Sequence, residues 1–194
     1  MAAGLKVGVL ALQGAFDAHR RALDQVGVHA VLVRTAAEMN ACDALVLPGG
    51  ESTTMLKLLN EENLKEPLAD FARRKPVLAT CAGVILLARQ VTNPVQESLG
   101  ILDLTVERNG YGRQIDSRIA PIQLPDGAPF EAVFIRAPVI HSTGPQVITL
   151  ASRDGHPVLV RQGHHLAATF HPELTEDRRI HHIFVQMLVS QLNP

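Results

Sequence analysis

Four short apolar runs in the first half of the chain restrict its fold more than any other feature of the sequence. They cover residues 6–12, 29–34, 44–50 and 76–81. A segment with helical spacing of its apolar residues follows the first run, and a longer one separates the last two. Short apolar strands that alternate with helices are typical of a parallel sheet buried between two helical layers. The pattern therefore predicts a three-layer, doubly wound α/β fold with a mostly parallel sheet and helices on both faces.

The second half of the chain has a different pattern. Alternating apolar and polar positions, punctuated by Gly and Pro, predict an added region of antiparallel or mixed strands. Residues 176–192 have one apolar face at helical spacing, which predicts a terminal helix. With 194 residues and 46% hydrophobic content, the chain is long enough for one well-buried domain, so we predict a single domain over residues 1–194. The strands predicted in this half are 132–140, 147–152, 157–162 and 165–172.

Composition and charge exclude several classes of protein. The formal net charge is −1 and the longest basic run is Arg73 to Lys75, so no part of the sequence suits the phosphate backbone of a nucleic acid. No apolar stretch reaches the roughly 20 residues needed to span a membrane. The N-terminus lacks the features of a signal peptide, and two cysteines are too few for a disulfide framework. We therefore expect a soluble, cytoplasmic protein with no nucleic-acid or membrane partner.

Nine histidines raise the question of a metal site. Four of them form the doublets His164-His165 and His181-His182, whose adjacent side chains diverge on either a strand or a helix. Neither doublet has the i, i+4 spacing of a zinc-binding helix, and the two cysteines form no CxxC pair. The sequence also lacks the glycine-rich motifs that bind dinucleotides or nucleoside triphosphates. We therefore predict no metal and no cofactor, with the doublets exposed to solvent.

The stretch "PVLATCAGVILLAR" places Cys81 where an apolar strand meets a segment with helical character. A nucleophile elbow needs that arrangement, with small neighbours such as Ala82 and Gly83. The positive end of a helix favours a thiolate, and the amide of Ala82 could donate to an oxyanion. Free cysteine is also among the most buried residue types. From this stretch alone, a nucleophile and a packed core thiol are equally good interpretations of Cys81.

A second candidate lies in "TFHPE", where His171 and Glu173 are two residues apart. On an extended chain such residues point to the same side, so a base and the group that orients it would share a face. Pro172 keeps His171 out of helical geometry. A cysteine with a distant histidine and a nearby carboxylate matches the logic of a catalytic triad. The alternative is a strand-ending turn with Glu173 in the first turn of the next segment.

The stretch "VLPGGESTT" runs a predicted strand into Gly49-Gly50, with Ser52 or Thr53 expected to cap the following helix. Paired glycines let backbone amides approach a ligand closely, and helix N-termini attract carboxylates and oxyanions. The alternative is an ordinary capped turn between a strand and a helix.

Three arginines are candidates for binding a carboxylate. Arg108 and Arg113 flank the glycines of "ERNGYGRQ", although a solvated turn would have a similar sequence. Arg136 stands inside the apolar run "VFIRAP", which we interpret as a strand. An arginine buried without a partner is costly, so this position predicts that Arg136 reaches a partner or the sheet edge.

Taken together, these stretches resemble the class I glutamine amidotransferase family. Within that family, the chain most resembles the glutaminase subunits of pyridoxal phosphate synthase. This resemblance extends over almost the whole chain. Ala79 departs from the glycine that often precedes the Thr-Cys pair, but it remains small. The motifs that carry the resemblance are "GVLALQGAFDAH", "LVLPGGESTTM", "TCAGVILLA", "VERNGYGRQ", "FIRAP" and "FHPEL".

The resemblance implies an activity and a role for each site residue. Cys81 would attack the side-chain amide of L-glutamine, His171 would manage the protons, and Glu173 would orient His171. Ammonia would leave, and water would hydrolyse a γ-glutamyl thioester to L-glutamate. The other roles implied are glutamine binding by Gly50, Glu51, Ser52, Arg108, Ile135 and Arg136, an oxyanion hole from the amides of Gly50 and Ala82, and partner contact through Gln13 and Gly14.

The resemblance also implies a partner. The ammonia would pass to a synthase subunit, a (β/α)₈ barrel, in a hetero-oligomer that makes pyridoxal 5'-phosphate. The glutaminase alone would be weak or silent until that partner docks. Two alternatives remain: a glutaminase that serves another acceptor, such as the imidazole glycerol phosphate branch of histidine synthesis, and a non-catalytic scaffold in which Cys81 is only packed.

Overall fold

A computed structural model of the chain describes residues 4–109 and 117–192. Its elements alternate in the first half and are mainly strands in the second. The strands are β1 (Lys6–Leu10), β2 (His29–Val33), β3 (Ala44–Leu47), β4 (Val77–Thr80), β5 (Ala88–Thr92), β6 (Leu102–Glu107), β7 (Ser117–Gln123), β8 (Pro129–Ile135), β9 (Val139–Thr143), β10 (Val147–Arg153), β11 (His156–Gln162) and β12 (His165–Ala168). The helices are α1 (Phe16–Gln25), α2 (Ala36–Asn40), α3 (Ser52–Glu61), α4 (Lys65–Arg74), α5 (Ala82–Leu87), α6 (Arg179–Leu192) and a 3₁₀ turn at Pro172–Leu174.

A seven-stranded sheet forms the centre, in the order β10-β11-β12-β4-β3-β1-β2. The five strands from β12 to β2 are parallel, whereas β11 and β10 add to the β12 edge in antiparallel fashion. Two smaller sheets, β5-β6-β9 and β7-β8, complete the strand-rich region. The predicted doubly wound, mostly parallel sheet with an added mixed region is confirmed.

Strand β3 shows why the sheet must be covered on both faces. All four of its residues are buried. Leu45 and Leu47 belong to one core cluster, with side chains from α2, α3, α4 and α5, while Ala44 and Val46 belong to another, with side chains from α1 and α6. Successive residues of a strand point to opposite faces, so an entirely apolar strand needs helices on both sides.

The helical predictions need two corrections. The segment after β3 forms two helices, because Asn63 between them takes a left-handed conformation with φ 55°. Pro67 explains the break: in one continuous helix its ring would clash with the carbonyl of the residue four positions before it. The helix after Cys81 is only six residues long, because the chain becomes extended at Ala88 and continues as β5.

The strand predicted over 132–140 is also wrong as a single element. Its residues form the end of β8 and the start of β9, because Arg136 has φ 44° and turns the chain between them. The strand predicted over 165–172 ends at Ala168, and a 3₁₀ turn begins at Pro172.

Candidate active site

Four loops meet at one edge of the central sheet. They follow β1, β3, β4 and β12, which run parallel and therefore end at the same edge. Gln13, Gly49, Cys81 and His171 come from these four loops in turn. Residues that are up to 158 positions apart in the chain are thereby brought to one place.

Cys81 occupies a strained turn between β4 and α5. Its backbone has φ 46° and ψ −106°, a region that non-glycine residues rarely adopt. The Cys81 N–H donates to the carbonyl of Ala168 at 2.9 Å, and the residue is 5% exposed. At Gly83, an added Cβ would come within 2.3 Å of the Leu47 carbonyl oxygen, so the turn against β3 requires glycine there. The predicted strand-turn-helix geometry around Cys81 is therefore present.

His171 and Glu173 meet through a turn and not along a strand. His171 Nδ1 lies 2.8 Å from Glu173 Oε1, and both residues are buried. The expected extended geometry is wrong, because Pro172–Leu174 form a 3₁₀ turn that contains Glu173. The two side chains still form the predicted pair, because the turn brings the carboxylate back to the imidazole.

The charges of this pair follow from their surroundings. Burial lowers the pKa of His171, but hydrogen bonds to Cys81 and Glu173 outweigh burial and raise its pKa to about 10. Burial raises the pKa of the Glu173 carboxyl, yet the attraction of His19 and His171 holds it well below its usual range. Near neutral pH, His171 is therefore protonated and Glu173 is ionised.

The loop after β3 packs its backbone tightly against the site. The Gly49 N–H donates to Thr80 Oγ1 at 3.0 Å. An added Cβ at Gly49 would lie 2.4 Å from His171 Cε1 and 3.1 Å from the Cβ of Cys81. Glycine at this position is what lets the loop, the imidazole and the cysteine share one small volume.

The loop after β1 contacts the same backbone. Gln13 Oε1 accepts a hydrogen bond from the Glu51 N–H at 2.9 Å. Gly14 has φ 93°, and an added Cβ there would lie 1.8 Å from the Gly49 carbonyl oxygen. Gln13 and Gly14, which the sequence assigned to a partner surface, therefore also support the loop that carries Gly49 and Gly50.

Helix α3 is capped by a residue that the sequence did not predict for that role. The Glu51 carboxylate accepts hydrogen bonds from the N–H groups of Thr53 and Thr54, at 3.1 and 2.6 Å. The expected cap at Ser52 or Thr53 is therefore wrong, and the Ser52 hydroxyl instead donates to Gln96 Oε1 at 2.9 Å. The Glu51 carboxylate also pairs with Arg108, whose Nη2 is 3.2 Å away.

A cavity of about 240 Å³ opens at this edge. Cys81 and His171 both line it, whereas Glu173 lies behind His171. The cavity is also lined by the six residues to which the family resemblance assigned glutamine binding, by Gln13, and by two residues that the sequence analysis did not single out. The six are Gly50, Glu51, Ser52, Arg108, Ile135 and Arg136, and the further two are Ile85 and Asn109.

The two missed residues have simple positional signals. Ile85 stands four positions after Cys81, which on a helix is the same face. Asn109 follows Arg108 directly in a stretch that was already singled out. Arg113, from the same stretch, lies outside the described residues.

Arg136 reaches the cavity in a different way from the one predicted. It is exposed and sits at the turn between β8 and β9 with φ 44°, so it is not an arginine buried within an apolar strand. Because Arg136 is exposed at the rim of the cavity, its charge does not need a buried partner.

Residues 4–109 and 117–192 contain neither a metal-binding cluster nor a membrane-spanning helix. No group of three or more His, Cys, Asp or Glu side chains in these ranges is placed to hold a metal ion. Among the helices described for this part of the chain, each is too short or too polar to cross a membrane.

Comparison with known proteins identifies the family. The SNO glutamine amidotransferase family matches residues 9–190. A Solibacter usitatus protein named pyridoxal 5'-phosphate synthase subunit PdxT is 56% identical over 190 residues, covering 94% of this chain and 99% of that protein. A Thermotoga maritima protein of the same name is 49% identical over 187 residues, covering 95% of this chain and 100% of its own length.

A solved structure agrees with the sequence comparisons. The chain superposes on a crystal structure of a glutamine amidotransferase with a TM-score of 0.88 and 43% identity, covering 94% of this chain and 98% of that one. Since both the family match and the curated relatives span nearly the whole sequence, this chain belongs to the SNO glutamine amidotransferase family.

Proposed function

We propose that the chain hydrolyses L-glutamine to L-glutamate and ammonia, with Cys81 as nucleophile, His171 as proton carrier and Glu173 as the group that orients His171. One observation carries this proposal: Cys81 and His171 line the same cavity, and His171 Nδ1 lies 2.8 Å from the buried Glu173 carboxylate. This arrangement suits acyl transfer, because a nucleophile lies beside a base and the base is oriented by a carboxylate.

In the first half of the reaction, the Cys81 sulfur attacks the side-chain carbonyl carbon of glutamine as a thiolate. The carbonyl oxygen becomes negatively charged. As the tetrahedral intermediate collapses, the C–N bond breaks and His171 gives its proton to the leaving nitrogen. Ammonia departs, and a γ-glutamyl thioester remains on Cys81.

In the second half, neutral His171 takes a proton from water while the water oxygen adds to the thioester carbon. The C–S bond then breaks, which regenerates the Cys81 thiolate beside protonated His171. Glutamate leaves as a carboxylate after it loses a proton to solvent. The Glu173 carboxylate stabilises protonated His171 at the start and end of this cycle.

Two backbone amides would hold the oxyanion, those of Gly50 and Ala82. Ala82 is the first residue of α5, so its N–H has no acceptor within the helix. Gly50 lies on the cavity wall, between two residues whose own amides bond to Thr80 and Gln13. Amides fixed in this way can stabilise a developing charge without reorganising.

The zwitterionic end of glutamine suits the charged rim of the cavity. Arg108 and Arg136 would bind its α-carboxylate, and the Glu51 carboxylate would bind its α-ammonium group. Ser52 and the backbone of Ile135 would complete the pocket. The pairing of Arg108 with Glu51 at 3.2 Å supports this arrangement, because it holds opposite charges side by side at the entrance.

We further propose that the chain acts as a single domain over residues 1–194 within a pyridoxal 5'-phosphate synthase, and so in vitamin B6 synthesis. The curated relatives are named as subunits of that synthase. The partner would be a (β/α)₈-barrel subunit that receives the ammonia, and the hetero-oligomer would place Gln13 and Gly14 at its interface. Their contacts with the loop of Gly49 and Glu51 would link docking to the site.

One experiment tests this function. Glutamate release from glutamine is measured for the chain alone and with a pyridoxal phosphate synthase barrel subunit. We expect release to rise sharply with the partner and to vanish in Cys81→Ala. Cys42→Ala is the matched control, because the Cys42 thiol is buried and donates to the Glu38 carbonyl, away from the cavity.

Ammonium salt separates chemistry from assembly. The Cys81→Ala complex should still make pyridoxal phosphate when ammonium is supplied, because only the ammonia source is lost. Glutamate release at the wild-type rate from Cys81→Ala would contradict the nucleophile assignment.

A further inference from the structure

A buried histidine outside the cavity contacts the far side of Glu173. His19, on α1, has its Nε2 3.2 Å from Glu173 Oε2, and both side chains are fully buried. The other carboxylate oxygen, Oε1, faces His171. The carboxylate therefore lies between two imidazole rings from different parts of the chain.

The same nitrogen of His19 also contacts β4. His19 Nε2 is 3.2 Å from Thr80 Oγ1, and this contact has the alignment of a hydrogen bond, whereas the contact with Glu173 has only the distance of an ion pair. Thr80 precedes Cys81, and its hydroxyl oxygen accepts from the Gly49 N–H at 3.0 Å. One ring nitrogen thus faces the carboxylate, the strand that carries the cysteine and, through Thr80, the loop of Gly49.

A third histidine, His181 on α6, contacts the other ring nitrogen of His19. His181 Nε2 lies 3.1 Å from His19 Nδ1, and His181 is completely buried. Burial lowers the pKa of His181 to about 3, so it is neutral and carries one ring proton. Its Nδ1 has no hydrogen-bond partner among residues 4–109 and 117–192, so a proton on Nε2, donated to His19, would leave no N–H of His181 unpaired. In that arrangement an Nε2 proton of His19 would point toward Glu173 and Thr80.

We propose that His19 is a positioning residue for glutamine hydrolysis: it holds the Glu173 carboxylate ionised and correctly turned toward His171, and His181 sets its tautomer. This inference rests on the proposed function, because it assumes that His171 and Glu173 carry the proton transfers. It adds α1 and α6 to the elements that determine the chemistry, although neither helix lines the cavity.

The surroundings of His19 favour this role over simple packing. Its neighbours in the core of that face are apolar, and an apolar side chain would fill the space without any need for a partner. Instead, His19 is buried together with three polar side chains that contact it, those of Thr80, His181 and Glu173. Buried polar networks of this kind are costly unless their contacts are satisfied, and here the contacts converge on His19, which links β4 and α6 to the carboxylate that faces His171.

The kinetic test uses the complex with the barrel subunit. His19→Leu removes the polar contact with Glu173, and we expect kcat to fall about tenfold or more while KM stays the same. His19→Gln retains an N–H donor and should recover most of the lost kcat. His182→Gln, an exposed histidine beside His181, is the matched control and should behave as wild type.

A second readout needs no activity. The titratable groups that face Glu173 are His171 on its own turn and His19 on α1, while His181 on α6 faces His19. Carbon-13 NMR of the glutamate carboxyls in the full chain should show Glu173 ionised throughout the folded pH range. In His19→Leu the pKa of Glu173 should rise, and the acid limb of the activity profile should move to higher pH with it.

The two measurements separate the possible failures. If the wild-type complex releases no glutamate, the proposed function is wrong, and the NMR titration still decides the role of His19. If the wild type is active but His19→Leu keeps its kcat, or loses it without a change in the pKa of Glu173, the positioning role is wrong. Should His19→Leu fail to fold, His19→Asn replaces it, because its shorter amide cannot reach Glu173.

Discussion

His171 Nδ1 lies 2.8 Å from Glu173 Oε1 although the two residues are not on a strand. A 3₁₀ turn that starts at Pro172 makes this contact. The contact determines which nitrogen of the imidazole remains available to Cys81. Nδ1 is occupied by the carboxylate, so Nε2 is the nitrogen available to the sulfur. The pair therefore favours protonated His171 and, whenever the imidazole is neutral, keeps its remaining proton on Nδ1.

Glu173→Gln should lower the rate of glutamate release in the complex by roughly 10²- to 10⁴-fold, because an uncharged side chain does not stabilise protonated His171. The KM for glutamine should change little, since Glu173 lies behind the cavity wall. The measurement is steady-state glutamate release with saturating barrel subunit. Glu176→Gln, an exposed carboxylate three residues away, is the control and should leave the rate unchanged.

Gly49→Ala should greatly reduce glutamate release while the protein still folds. Its new Cβ would lie 2.4 Å from His171 Cε1, so the ring or the loop must move. A displacement of that size costs on the order of 10²-fold in rate. Gly155→Ala is the control: its φ of 81° makes alanine strained, but no atom of the described residues lies within 4 Å of the new Cβ. That variant should lose stability, followed by urea unfolding, and keep its activity.

Arg108→Lys should raise the KM for glutamine about tenfold and leave kcat nearly unchanged. Arg108 Nη2 contacts both the Glu51 carboxylate at 3.2 Å and the Thr53 hydroxyl at 2.9 Å. The planar guanidinium can also bind a carboxylate through two nitrogens at once, which an ammonium group cannot do. A loss confined to substrate binding appears in KM alone. Arg89→Lys changes an exposed arginine that pairs with Asp103 and should have no effect on either constant. An equal fall in kcat would argue against a role restricted to binding.

Acid should destabilise the fold partly through His165. Burial lowers the pKa of this histidine to about 4. As the pH falls, the unfolded chain therefore binds a proton near pH 6.5, whereas the folded chain binds it only near pH 4. Stability is therefore lost as the pH falls through that window, by about 1–3 kcal/mol. Urea unfolding of His165→Gln should show a smaller loss between pH 6.5 and 4 than the wild type. The exposed His29→Gln should keep the wild-type slope.

Much of the scaffold could be predicted from sequence because it follows from local patterns. Uniformly apolar runs such as that of β3 indicate burial on both faces whatever lies far away in the chain. The small residues around Cys81 likewise indicate a tight turn. Both features depend on neighbours in sequence, which is why they could be predicted.

The features that were missed depend on distant contacts or on single backbone angles. His19 has the helical spacing of a core residue beside Leu23, and nothing nearby in sequence shows that Glu173 and His181 will surround it. The doublets were predicted to be exposed, yet His165 and His181 are buried and only their partners His164 and His182 reach solvent. The left-handed angle of Arg136 splits a run whose composition is that of one strand.

The backbone at Cys81 is a thermodynamic liability that the rest of the molecule must offset. Its positive φ would suit glycine far better than any residue with a Cβ. A chain selected for stability alone would therefore carry glycine at position 81, and it would be a more stable protein that lacks a thiol at this site. The conformational cost at this one residue measures, in free energy of folding, what the molecule gives up to hold a reactive group at the edge of its sheet.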